Sequence, residues 1–421
     1  MIKEFLKFAY NSPTAFNAVD NIKNSLLKEN FIELDMSKQW NLEKNGKYFI
    51  TKNNSGLFAF QIGEEDIKET GFKIIGSHTD SPGFKIKPNP EIVSENYFKL
   101  NIEVYGGPIY NTWLDRPLSI AGRVILKDLT TKVININKPI AIIPNLAIHQ
   151  NREVNNGISL NPQENLLPII ELVTENLEKE NYLLNLISKE INIDIKDILD
   201  FELFLYEYDK GNVIGLNNEM ISSSRIDNLA SVFTSLNALI NNKNSKNTKV
   251  IACFDNEEIG STTLQGADSL TLSYLLEKIC YGLGLTRDDF ISSLEKSFII
   301  SADGAHAFHP NYSNKGDITN KLLMNKGIAI KYSANYSYTS NAYSASYIKK
   351  ICEENNINYQ YFLNRSDTRG GSTIGPISQS NLPINSVDIG IPMLAMHSIR
   401  ELCGVEDLKS LNKLLNKFFE N

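Results

Sequence analysis

The sequence is poor in the features that mark several protein classes. Its four cysteines, Cys253, Cys280, Cys352 and Cys403, are widely scattered, without the paired spacing of a zinc knuckle or a disulfide framework, and are expected to be reduced packing residues. Cations are outnumbered, with 42 Lys and Arg against 49 Asp and Glu. The basic excess that nucleic-acid binding demands is therefore missing, and no nucleic-acid partner is expected. No apolar run approaches membrane-spanning length, and the opening MIKEFLKFAYNSP carries Lys3, Glu4 and Lys7 where a signal peptide has its apolar core. These absences predict a cytoplasmic protein with no membrane partner. Internal repeats, long linkers and low-complexity tracts are also lacking. What remains is ordinary globular composition, 42% hydrophobic and 22% charged over 421 residues, enough for two domains of which one is interrupted.

The apolar pattern divides the chain. Phe16, Val19, Ile22, Leu26 and Leu27 repeat at helical spacing after the start signal Asn11-Ser12-Pro13. Strand-like segments follow around Tyr48–Thr51, Leu57–Gln61 and Phe72–Ile75. From about Gly83 to Tyr208 the texture changes to short β-type runs, such as Tyr97–Val104 and Leu118–Ile125, punctuated by breakers like Gly106-Gly107-Pro108. Beyond that, helical and buried-strand patterns alternate, as in Leu229–Ile240, Val250–Phe254, Leu272–Leu283 and Ile389–Met396. Alternation of this kind predicts an α/β fold, a central mixed sheet flanked by helices, built from residues 1–85 and 218–421 and interrupted by a β-rich unit over 86–217.

Several apolar runs end in groups that can bind a metal. KVIACFDNEEIGS, Lys249–Ser261, passes from a buried strand straight to Glu257 and Glu258. Neighbours on extended backbone point to opposite sides, so the pair is expected to divide its work, one carboxylate a metal ligand and the other a general base. His78 follows Phe72–Ile75, Asp303 follows Phe298–Ile300 and Ala302, and His397 follows Ile389–Met396 directly. Sites in open α/β sheets form outside the carboxyl ends of strands, so one common mouth is inferred. Asp227, ahead of the amphipathic run from Leu229, is either a fifth ligand or a helix N-cap. His78, Asp227, Glu258, Asp303 and His397 form a ligand set without thiolates, suited to zinc, manganese or cobalt. Five donors exceed one tetrahedral ion, whereas two ions sharing a bridging carboxylate would use them all. Asp80, two residues beyond His78, is placed to orient its ring.

The same residues lie in motifs that resemble the M18 metallo-aminopeptidases, the aspartyl aminopeptidase family: GSHTDSP at Gly76–Pro82, SRIDNL at Ser224–Leu229, DNEEIGS at Asp255–Ser261, SADGAHAFHPNY at Ser301–Tyr312 and AMHSIRE at Ala395–Glu401. NSPTAFNAV, GGPIYNTWLDRPLSIAG and GGSTIGPI extend the likeness over nearly the whole chain. The resemblance implies that His78 and Asp303 hold one ion and Glu258 and His397 the other, with Asp227 bridging. It further implies Glu257 as general base, Asp80 as the partner of His78, and a peptide substrate with a free amino terminus. The β-rich unit would be a dimerisation domain within a tetrahedral dodecamer, in which His149 reaches a neighbouring subunit's active site and hydrogen-bonds the oxyanion. His306, Lys331, Tyr338 and Gly371 would meet the substrate, Lys331 favouring Asp or Glu as first residue. Ser337 stands where many relatives carry arginine, which weighs against strict acidic preference. A broad-specificity aminopeptidase, an amidohydrolase of acylated amino acids and a catalytically silent assembly protein are the competing readings.

Overall fold

The computed structural model describes residues 1–174, 181–243, 245–368 and 370–420. Among these, nine strands form a central mixed sheet in the order Ile32–Glu33, Lys47–Lys52, Gly56–Gln61, Thr248–Phe254, Phe72–His78, Phe298–Ala302, Asn385–Gly390, Ile328–Lys331, Tyr359–Phe362. The four central strands, from Thr248–Phe254 to Asn385–Gly390, run parallel, and their neighbours on either side are antiparallel to them. Strands buried on both faces read as continuous apolar runs, which is why Val250–Phe254 was legible. On one face the sheet packs against helices Ile2–Tyr10, Ala15–Lys28, Ile226–Asn241, Ala342–Glu354 and Val405–Glu420 through Phe5, Ile22, Val232, Ile351 and Leu414; on the other, Thr271–Gly282 and Arg287–Glu295 contribute Leu275, Ile279 and Phe290. Two helices open the chain: Asn11-Ser12-Pro13 separates them and the Thr14 side chain caps the second.

A six-stranded antiparallel sheet takes all its strands from 83–207, with its own core around Phe84, Leu100, Trp113, Ile120 and Leu203. A third sheet of five strands was not legible. It joins Asn212–Ile214, Met220–Ser223, Glu401–Gly404, Pro392–Leu394 and Ala305–His306. The apolar run Ile389–Met396 is therefore not one strand: it leaves the central sheet at Gly390 and enters the third sheet at Pro392. A side chain at Gly390 would lie 1.8 Å from the Asp303 carbonyl oxygen, so only glycine permits the crossing.

The core also holds charge. Lys73, 9% exposed, lies against the rings of Tyr347 and Phe418, and its ammonium donates to Tyr347 Oη at 3.0 Å. Burial lowers its pKa to about 8. Below that value the fold carries the cost of a buried cation in full. As pH rises from about 8 towards the ordinary lysine value the native state has shed the proton that the unfolded chain keeps, and the cost disappears. Lys73→Met is expected to be more stable than the native protein at pH 7 by about 1–2 kcal/mol, with the gap closing above pH ~10. Paired denaturation curves across that range check it.

Candidate active site

Three of the central strands deliver residues to one edge of the sheet. Thr248–Phe254, Phe72–His78 and Phe298–Ala302 are adjacent and parallel, in a register that pairs Phe254 with His78 and Ser301 with Gly76. His78 thus ends its strand, Asp303 follows the next, and Glu257 and Glu258 stand just past the third. Asp227 enters from the first turn of Ile226–Asn241, where its backbone departs from helical geometry. His397 arrives from the third sheet, three residues after Pro392–Leu394 and in a left-handed conformation (φ 67°). The single-sheet origin inferred from sequence is thus corrected for His397, although it reaches the same mouth.

These side chains converge. His78 Nε2 lies 3.6 Å from Asp227 Oδ1 and 3.5 Å from Asp303 Oδ1. On the other side, His397 Nε2 lies 3.6 Å from Asp227 Oδ2 and 3.3 Å from Glu258 Oε2. The two groups, His78–Asp227–Asp303 and Asp227–Glu258–His397, each gather three donor atoms within 4.8 Å of one another and share only Asp227. Asp227 Oδ1 and Glu258 Oε1 are buried without any hydrogen-bond partner. Such oxygens are costly unless something positive satisfies them, so the residues present fit divalent ions. Although burial opposes its charge, the carboxylates of Asp227, Asp303 and Asp80 hold the pKa of His78 well above the ordinary histidine value. Burial likewise acts to raise Asp227, yet the two histidines bring its pKa far below the usual carboxylate range. Glu258, with burial and then Asp227 acting in the same direction, is raised well above it.

Glu257 and Glu258 do not lie on extended backbone. Asp80 accepts both their N–H groups, at 3.2 Å each, and curls the chain into a short 3₁₀ turn, Glu257–Ile259, entered through left-handed Asn256. The two side chains therefore do not divide to opposite sides as extended neighbours would: one oxygen of each lies within 4.8 Å of a His78 ring nitrogen. Asp80 also approaches His78 Nδ1 at 3.3 Å. Its Oδ2 accepts from Tyr105 Oη at 2.7 Å, and Tyr105 stays protonated because burial, then Asp80, raises its pKa. Three supports were missed in the sequence. Tyr105 is one; Gly107, whose carbonyl faces His397 Nδ1 at 3.2 Å, is another. The third is Glu401, which accepts from the Asp227 N–H at 2.9 Å and the His397 N–H at 2.8 Å. A carboxylate four residues after His397 was the available signal for Glu401; nothing local marks the other two.

Comparison with known proteins decides the family. The family profile described as aminopeptidase I zinc metalloprotease (M18) matches residues 8–419. The chain belongs to the M18 aminopeptidase family. It is 56% identical over 422 residues to the probable M18 family aminopeptidase 2 of Clostridium novyi (strain NT), covering 99% of this chain and 98% of that one. Among solved structures it resembles a chain of the Ape4 and Nbr1 complex (TM-score 0.96, 37% identity, 99% of this chain and 85% of that). It also resembles the mApe1 dodecamer of S. cerevisiae (TM-score 0.88, 27% identity, 100% and 96%). As an M18 member this protein is a metallo-aminopeptidase, and no described helix is long and apolar enough to cross a membrane.

In this M18 chain the expected substrate residues surround the cluster unevenly. His306 and Gly371, with Phe362, Met393 and Met396, line a cavity of about 520 Å³. Desolvation, then the Lys331 charge, lowers the His306 pKa. Lys331 is 2% exposed, its ammonium 3.5 Å from Asp303 Oδ2 and 5.4 Å from the Tyr338 ring centre. Tyr338 packs against Phe362 with centroids 6.0 Å apart. His309 caps the turn Pro310–Lys315, its Nδ1 accepting from the Asn311 N–H at 3.2 Å. His149 is exposed on the connection between Thr131–Asn135 and Ile169–Leu172 of the six-stranded sheet and joins none of the candidate metal groups among the described residues. All four cysteines are buried free thiols.

Proposed function

We propose that this aminopeptidase is a dinuclear enzyme that removes the first residue of peptides with a free amino terminus, preferring Asp or Glu. The observation that carries the reading is the division of Asp227, one oxygen toward His78 and the other toward His397, each 3.6 Å away. His78 and Asp303 would hold one ion, Glu258 and His397 the other, with Asp227 between them. Two imidazoles with carboxylates and no thiolate suit zinc, with cobalt or manganese as alternatives. Bound there, the ions would lower the pKa of an intervening water and polarise the scissile carbonyl.

Glu257 takes the proton of the attacking water and passes it to the leaving amine. Burial, reinforced by Asp303, Asp80 and Asp227 and opposed by His78, holds its carboxyl above the ordinary glutamate range. Asp80 fixes both the Glu257 backbone and the His78 ring. The working form is a tetrahedral dodecamer of dimers joined through the 86–217 unit, with His149 donating to the oxyanion in a neighbouring copy. Leu146 and Ile148, 55% and 51% exposed beside His149, support a surface that another copy covers.

His306, Lys331, Tyr338 and Gly371 would form the substrate pocket. A second reading, broad specificity for neutral first residues, is favoured by the Lys331–Asp303 contact, which occupies the ammonium that would greet an acidic side chain. Lys331→Met separates the two. Under acidic preference it lowers kcat/KM for Asp-Ala-Ala by at least 30-fold and leaves Leu-Ala-Ala within threefold. Equal losses on both peptides would make Lys331 a support for Asp303 and favour the second reading.

A further inference from the structure

Asp388 lies in the strand Asn385–Gly390, opposite Ser301 in register and fully buried. A carboxylate cut off from water needs its lone pairs filled, and here hydroxyl and amide donors fill them. Oδ1 accepts from Ser301 Oγ and Thr373 Oγ1, both at 2.6 Å. Oδ2 accepts from the Thr339 N–H at 2.6 Å and from Thr339 Oγ1 at 2.8 Å. Hydrogen bonds to an ionised acceptor are short and strong, so these four form a clamp.

What the clamp joins is informative. Ser301 precedes Asp303 by two residues, Thr339 follows Tyr338, and Thr373 follows Gly371 by two. Three segments far apart in sequence, each carrying one residue of the proposed site, thus end on one carboxylate. The helix Ile374–Asn381 begins against it too: a side chain at Gly375 would come within 2.6 Å of Asp388 Oδ2. Glycine lets the positive end of the helix close on the charge. Thr373, the N-cap residue of that helix, makes no side-chain cap, since its hydroxyl is committed to Asp388. Ser372 Oγ reaches the Ser337 carbonyl at 3.4 Å, closing the glycine loop onto the Tyr338 segment.

We propose that Asp388 is a positioning residue that sets the pocket for the first residue of the substrate, by holding the Tyr338 segment and the Gly371 loop at a fixed distance from Asp303. The inference rests on the reading that Tyr338 and Gly371 meet the substrate. Among the described residues Asp388 belongs to no candidate metal group and its side chain bonds Ser301, Thr339 and Thr373, so its loss is expected in binding and selectivity. Asp388→Asn turns one acceptor into a donor facing hydroxyls that must then reorient.

The test measures kcat and KM separately on X-Ala-Ala peptides, with X as Asp, Glu, Leu or Ala, for the metal-loaded native protein, Asp388→Asn, Thr373→Val and Thr373→Ser. The expected result for Asp388→Asn is a KM at least tenfold higher, a flattened preference among first residues, kcat within about threefold, and unchanged metal content. Thr373→Val keeps the shape and loses one hydroxyl, so it covers the case where Asp388→Asn does not fold; its KM should rise three- to tenfold while Thr373→Ser stays near native. The proposal is overturned if KM and first-residue preference of the variants stay within twofold of native, or if kcat alone falls equally on every peptide. A native protein inert on all four peptides would instead overturn the proposed substrate class and pocket, and this inference with it.

Discussion

Glu257→Gln is expected to lower kcat by about 10²–10⁴-fold while leaving the metal content unchanged, the range that a positioned proton carrier contributes. The separation is expected because Glu257 belongs to neither donor group that shares Asp227; it gathers only with His78 and Glu258, each of which already belongs to one of those groups. Glutamine keeps the size and hydrogen-bonding reach of the side chain, and the Glu257 backbone stays pinned, since the Asp80 contact uses its N–H at 3.2 Å. Only the capacity to accept a proton is lost. KM for a free-amine tripeptide should move little. Parallel loss of bound metal would transfer Glu257 to the ligand set, an outcome its approach to His78 and Glu258 makes worth measuring.

Asp227→Ala is expected to weaken both ions together and to abolish turnover. Each histidine group depends on one of its oxygens, so truncation removes a donor from both positions at once. The loss should exceed the ~10–100-fold in affinity that removing an outer partner of a metal ligand costs. Asp303→Ala makes the contrast, because Asp303 belongs only to the His78 group; one ion should be weakened and the other kept. Metal analysis after gel filtration into metal-free buffer reads both. If Asp227→Ala lost one ion and held the other firmly, Asp227 would not be the bridge.

Much of this site was visible in the sequence because apolar runs stop abruptly at polar residues. Phe72–His78 and Phe298–Ala302 are buried on both faces, so His78 and Asp303 stand out as interruptions. Where the backbone changes direction, that logic fails. The run Ile389–Met396 reads as one strand, yet Gly390 passes it from one sheet to another, and the close approach to Asp303 that requires glycine has no local signature. Glu257 and Glu258 read as extended because the Asp80 carboxylate that curls them lies 177 and 178 residues away. Asp388 carries the same lesson: in sequence it is an acid interrupting Val387 and Ile389, and only the fold brings it Ser301, Thr339 and Thr373. The β-rich texture from about Gly83 was readable from its breakers, whereas the third sheet, whose strands are only two to four residues long, was not.

Two ions are proposed to act together on a free amino terminus. Stripping the protein of metal and titrating Zn²⁺ back, with bound ions per chain and the initial rates on Asp-Ala-Ala and its N-acetylated form followed together, tests it most directly. Saturation at two ions per chain, activity rising with the second, and far faster cleavage of the free-amine peptide are expected. Saturation at one ion, or faster cleavage of the acetylated peptide, would contradict it.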